Sequence, residues 1–288
     1  MPLTDKEEFV MSTVLVVTNF SDASHNALAY TCSLLQNTQA HLVLMNIYDF
    51  PGNMTGDAIA IAAMSEIIEH DAALLEREFQ WVQTNYPALQ VDTEMVTGVF
   101  QEELQRKVIE SNAVLVVMGA GGNYTNLLSW DANIINSFID LPVPMLVIPS
   151  TVSFRPIHKI AFACNYYRKN LHVPVSVIHK LVRFTGASLY VINVVALQEL
   201  ITDEALHNKH ILQESLADLN PVYFEPEFQN VISAIDNFTS AENIDMLLVI
   251  PTRHGIWHNI FQKSHTKGLV YLNHIPLLSV RQQEEFIQ

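Results

Sequence analysis

Unbroken apolar runs alternate along the chain with stretches in which apolar residues return every three or four positions. "TVLVVTNF" (13–20) has the pattern of a buried strand. "SDASHNALAYTCSLLQNTQAH" after it carries Ala27, Leu28, Thr31, Leu34 and Leu35 at helical spacing, behind Ser21 and Asp22 as capping residues. "LVLMNIY" (42–48) is an apolar strand of the kind covered on both faces in a parallel sheet. A helical stretch from about 57 to 86 follows, then a strand "VDTEMV", a helix over "FQEELQRKVIES", and a segment (114–150) that reads strand, glycine-rich turn, helix, strand. Five strands alternating with helices predict an open, doubly wound α/β domain. In the long helix, the acidic stretch "EIIEHDAALLERE" is expected to turn its charges to solvent, with Ile67, Ile68, Leu74 and Leu75 facing inward.

The order then recurs. From "HKIAFACNYY" the chain runs through a helix over "VPVSVIHKLVRFTG", the strand "SLYVINVV", a helix near 202–219, "PVYFE", a helix over "VISAIDNFTSA", "DMLLVIP" and "PLLSV". Asn19 and Asn165 stand 146 apart, Asn46 and Asn193 147 apart, and Pro144 and Pro276 132 apart. The second copy is thus about 15 residues shorter between its second and fourth strands. The proline-bearing "TVSFRPIHK" is the expected linker, giving domains of 1–150 and 151–288. Duplicated units of this kind are expected to pack as an intramolecular pseudo-dimer. A homodimer and an unidentified protein partner are the further assemblies this reading allows.

Composition narrows the partners. The chain of 288 residues is 49% hydrophobic, enough for a core in each half. With 30 acidic against 15 basic residues, the net charge of −15 and the lack of a Lys/Arg block argue against nucleic acid and anionic membranes. The acidic start "MPLTDKEEFV" is unlike a signal peptide, so a cytoplasmic protein is expected. Cys32 and Cys164 have no metal-type spacing and read as small buried apolar residues. His254 and His258, or His207 and His210, have the spacing of one helical face, but no third ligand stands near either pair in sequence, and no metal is expected.

The glycine-rich turn invites a phosphate reading, because backbone N–H groups and a helix N-terminus converge at such places. Gly119 and Gly121 are followed by Tyr124 where a dinucleotide fingerprint needs its third glycine, and no Walker A run exists. "VLVVTNFSDASHNALAYTCSLL", "VLVVMGAGG" and "LPVPMLVIP" together resemble a universal stress protein domain, and the second half resembles another, so that the tandem form of that family covers nearly the whole chain. The resemblance implies two Rossmann-like five-stranded parallel sheets of order 3-2-1-4-5. Members that bind ATP carry an acidic residue at the end of strand 1 and G-x2-G-x9-G-[ST] after strand 4. Gly119 and Gly122 match the first part of that pattern, whereas Ala132 and Asn133, or Asp131 and Ala132 when counted back from Pro144, replace the rest. Asn19 stands at the acidic position and keeps hydrogen-bonding capacity without charge. In the second half Pro251 and His254 replace the glycines, while Arg253, Ser264, Thr266 and Lys267 retain the makings of an anion site at a helix start.

No nucleophile elbow, activated cysteine or pair of carboxylates at a readable spacing emerges. The expectation is a non-enzymatic stress-response sensor or adaptor with a degenerate nucleotide cleft. The alternative is an ATP- or AMP-binding switch, or a weak ATP hydrolase, built on Asn19, Gly119, Gly122 and Asn133. A third reading makes Trp130, Trp257 and Phe261 exposed docking residues for a protein partner.

Overall fold

The central apolar runs become strands whose side chains are covered on both faces, while the edge strands over 90–98 and 222–224 stay largely open. Val14, Leu15, Val16 and Val17 of the first run are all fully buried, as the centre of a parallel sheet requires. The computed structural model describes residues 12–49, 58–121, 127–165, 173–193, 202–225, 231–251 and 273–281. The chain divides into two units between Phe154 and Arg155.

In the first unit, β1 (Thr13–Thr18), α1 (Asp22–Leu35), β2 (His41–Asp49), α2 (Ala58–Asn85), β3 (Gln90–Gly98), α3 (Phe100–Glu110), β4 (Ala113–Ala120), α4 (Leu127–Asp140) and β5 (Met145–Pro149) follow in strict alternation. The strands are parallel and ordered β3-β2-β1-β4-β5. Helix α1 starts where Ser21 Oγ accepts from Ser24 N at 3.2 Å, a side-chain N-cap. Its inner stripe is Ala23, Ala27, Leu28, Thr31, Cys32 and Leu35, with Leu34 half-buried rather than inside. Thr31 is tolerated there because its Oγ1 donates to Ala27 O at 2.7 Å.

The second unit repeats the plan with β6 (Lys159–Cys164), α5 (Val175–Thr185), β7 (Ser188–Asn193), α6 (Asp203–Ser215), β8 (Val222–Phe224), α7 (Val231–Ala241), β9 (Met246–Val249) and β10 (Leu277–Ser279). Its parallel strands run β8-β7-β6-β9-β10, the same order as in the first unit. Helix α5 stops at Gly186, whose φ of 69° gives the left-handed residue that closes a helix C-terminus. No helix among the described residues is long and apolar enough to cross a membrane.

Helix α2 corrects one expectation. Ile67 is 43% exposed, and Ile68 and Leu74 are half-buried. The buried stripe is Leu75, Glu78 and Val82, spaced three and four apart, so the last carboxylate of the acidic stretch lies inside. The inward face is rotated from the one that the paired isoleucines suggest.

Side-chain ties fix the chain on either side of the unit boundary. Asn26 Nδ2 donates to Pro149 O at 3.0 Å and to Val152 O at 2.9 Å, and Tyr30 meets Phe154 edge-on at 5.2 Å, which holds 149–154 to the first unit. Asp245 Oδ2 accepts from His158 N at 2.9 Å and Lys159 N at 3.0 Å, while its Oδ1 lies 3.0 Å from Arg155 Nε. That carboxylate is where the second unit's first strand is anchored. Asp245→Ala is expected to lower stability by roughly 2 kcal/mol, since charge-assisted bonds to two backbone donors are lost together. A lower urea midpoint would register it.

Candidate functional site

The C-terminal ends of β2, β1 and β4 form one edge of the first unit's sheet, and the strand order reverses between β1 and β4. Open α/β sheets hold their ligands in the crevice at such a reversal. The candidate residues described there are Asn19 and Gly119, while Asn133 lies in the middle of α4.

Asn19 follows β1 directly, as the sequence implies. Its Oδ1 accepts from Ser21 Oγ at 2.6 Å and from Ser21 N at 3.2 Å, which builds the turn into α1. Phe20 between them has φ of 61°, a left-handed backbone unusual for a bulky residue, and its N–H donates to Thr18 Oγ1 at 3.0 Å. The acceptor that would meet a ribose hydroxyl is therefore already engaged by the turn, and the Nδ2 donors are what Asn19 can offer a ligand.

Gly119 lies near the end of β4, opposite Ile148 of β5. A Cβ at this position would lie 2.1 Å from Ala23 O, 2.4 Å from Ala23 C and 2.7 Å from Ser24 N. The glycine is required because the strand and the first turn of α1 approach each other closely, not because a ligand does. Its carbonyl accepts from Trp130 Nε1 at 3.0 Å. Gly121 is the residue here with a left-handed backbone, φ 83°, and it makes the turn beyond the strand. Gly122 falls outside the described residues.

Helix α4 meets this edge through Trp130, and Asp131 and Asn133 follow on the same helix. Trp130 is 7% exposed and packs edge-on against Phe100 at 5.9 Å, so it is a core residue and not a docking one. Asn133 is half-buried, and its backbone oxygen accepts from Gln101 Nε2 at 3.2 Å, a tie from α4 to α3. Asp131 Oδ1 is buried and has no hydrogen-bond partner among the described residues. Burial pushes its carboxyl above the usual carboxylate range. A carboxylate that already lacks compensation repels a phosphate at the helix that would have received it.

One feature of this edge carried no assignment in the sequence. Asn46, in register with Thr18 at the end of β2, donates through Nδ2 to Thr18 O at 3.0 Å, and its buried Oδ1 is left unpartnered. Asn193 repeats it in the second unit, in register with Cys164 and again with an unpartnered buried Oδ1. The spacing of 147 between the two asparagines was the available signal.

Arg253, Ser264, Thr266 and Lys267 lie outside the described residues, as do Trp257, Phe261, His254 and His258. His210 is paired with Glu214 at 3.4 Å on the exposed side of α6. Among the described residues no three His, Cys, Asp or Glu side chains converge as a metal site. Burial raises the thiols of Cys32 and Cys164 to about 12, which leaves neither as a thiolate nucleophile.

Residues 11–138 match the universal stress protein family. That segment, from β1 into α4, is a universal stress protein domain. Over its whole length the chain is similar in fold to a universal stress protein from Archaeoglobus fulgidus, with 12% identity, 96% of this chain and 98% of that one covered, and a TM-score of 0.67. A putative universal stress protein from Pseudomonas aeruginosa shares 15% identity over 94% of this chain and 93% of its own, with a TM-score of 0.53. A universal stress protein solved in complex with cAMP is 21% identical over 49% of this chain and 98% of its own, with a TM-score of 0.36. Among curated proteins no relative matches.

Two substitutions test how the stress-protein edge is built. Gly119→Ala is expected to cost about 3 kcal/mol or more of unfolding free energy, because neither the Ala23 backbone nor β4 can give way; chemical denaturation measures it. Asp131→Asn is expected to be more stable than the parent near pH 7. A carboxyl raised on folding adds stability below its unfolded pKa, and that gain is lost as pH rises through the folded value. The difference between the two proteins should therefore shrink to nothing by about pH 3, as melting curves across that range would show.

Proposed function

We propose that the protein is a non-enzymatic, cytoplasmic stress-response sensor or adaptor, built as two universal-stress-type domains (1–150 and a shorter 151–288), whose first-half cleft has lost its grip on phosphate. The observation that carries this is Gly119. The glycine that matches the family's phosphate turn has its Cα face against the Ala23 and Ser24 backbone and its carbonyl on Trp130. Asn19 in place of an acidic residue, with its oxygen held by Ser21, and Asp131 on the receiving helix act in the same direction.

The competing reading is an ATP- or AMP-binding switch or weak hydrolase. It draws on the left-handed Gly121 at the end of β4 and the Asn19 amide, both at the strand reversal where a nucleotide would lie. Thermal unfolding with ATP, ADP and AMP, each with and without Mg²⁺, separates the two. A ligand at a hundred times its dissociation constant adds about 2.7 kcal/mol. Millimolar nucleotide is expected to leave the midpoint unchanged and no phosphate to be released. A saturable rise would establish the nucleotide switch, and Mg²⁺-dependent phosphate release on top of it would make the protein a hydrolase.

A further inference from the structure

Between α1 and α2, a carboxylate of α2 is buried with one oxygen unpartnered among the described residues. Glu78 is only 9% exposed, on the same stripe as Leu75 and Val82. Its Oε2 has no hydrogen-bond partner among the described residues, and its Oε1 lies 3.7 Å from His25 Nδ1 on α1, too far for a hydrogen bond. A buried, uncompensated carboxylate is costly and is ordinarily paired. This one borders a groove of about 630 Å³ between the start of α1 and the last turns of α2, a volume in the range of small-molecule sites.

The groove's other walls select the sign and character of an occupant. Trp81 stands one helical turn from Glu78 and meets His25 edge-on, ring centres 4.7 Å apart at 68°. Phe20, set by its left-handed backbone, forms the lip. Asp22 and Glu76 add two carboxylates at the rim against the single guanidinium of Arg77, in a chain of net charge −15. An anion is repelled here. A metal ion would find one carboxylate and one imidazole, with no third ligand among the described residues.

We propose that the groove between α1 and α2 is a binding site for a small organic ammonium ion with an apolar body. The ammonium pairs with the Glu78 carboxylate where that residue lines the groove, and the carbon skeleton lies along Trp81 and Phe20, where an indole also attracts the charge. The site shares the Phe20–Ser21 turn with the strand edge but does not rest on the nucleotide reading.

The test is a calorimetric titration of the full chain with phenethylammonium chloride, beside 2-phenylethanol as its neutral counterpart and phenylacetate as the anion. Saturable binding of the ammonium alone is expected, weakened about tenfold to a hundredfold by Glu78→Gln, the range that a hydrogen bond to a charged group supplies. Glu78→Gln is expected to melt at or above the parent, since an isosteric neutral amide replaces the orphaned charge, so lost binding is not lost folding. Equal binding of 2-phenylethanol by the parent protein overturns the proposal whatever the variant does. Undiminished binding by folded Glu78→Gln overturns it as well, as does the absence of any saturable heat up to about 10 mM ammonium.

Discussion

Strand β4 and the first turn of α1 approach so closely at Gly119 that a Cβ there would lie 2.1 Å from the Ala23 carbonyl oxygen. Much else in the first unit follows from that contact. It sets the start of α1 against the sheet, so that the link from β1 must turn within Asn19, Phe20 and Ser21. The turn is closed by the Asn19 side chain and by a left-handed Phe20, and the hydroxyls of Thr18, Ser21 and Ser24 form a connected chain beneath it. With α1 fixed at its N-terminus, His25 is carried to α2 and meets Trp81 and Glu78. The same glycine that resembles part of a phosphate turn is thus the pivot that organises a groove on the other side of the helix.

Carboxylates decide which ligands the two regions admit. At the strand edge, Asp131 is half-buried, raised by desolvation and unpartnered through Oδ1, so further negative charge there compounds a cost already present. In the helix groove, Glu78 is buried with Oε2 unpartnered, and positive charge would relieve a cost of the same kind. The physics is identical and the consequence opposite for phosphate and ammonium. The asparagines at the ends of β2 and β7 differ from both, since an amide leaves an unpartnered acceptor without a charge to move a ligand's affinity strongly.

The fold was legible because the central strands are runs covered on both faces and most helices announce a stripe at a spacing of three or four. Strand order came with the family resemblance and not from periodicity, which is blind to which runs are neighbours. The helix over 231–241 matched residue for residue because "VISAIDNFTSA" carries a clean stripe, whereas the inward face of α2 was misjudged from Ile67 and Ile68. Ile67 is exposed and Ile68 half-buried, and the stripe through Leu75 and Val82 places Glu78 inside. Gly119 shows a deeper limit. A strand-end glycine is the same letter whether the close neighbour is a phosphate or the Ala23 carbonyl, and only the path of α1 distinguishes them. Trp130 posed the same ambiguity between core and docking surface, resolved by its indole N–H on the Gly119 carbonyl.

Helix α1 therefore links the strand edge to the groove beside α2. Its N-cap shell at Asn19 and Ser21 borders the strand edge, and its next turn, at His25, borders the groove under Trp81. Because Gly119 leaves no slack between β4 and that first turn, α1 cannot shift toward the sheet without collision. The groove on the other side is lined by Phe20 and Ser21 of that same turn, so an occupant between α1 and α2 would pack directly on the turn that the Asn19 side chain closes.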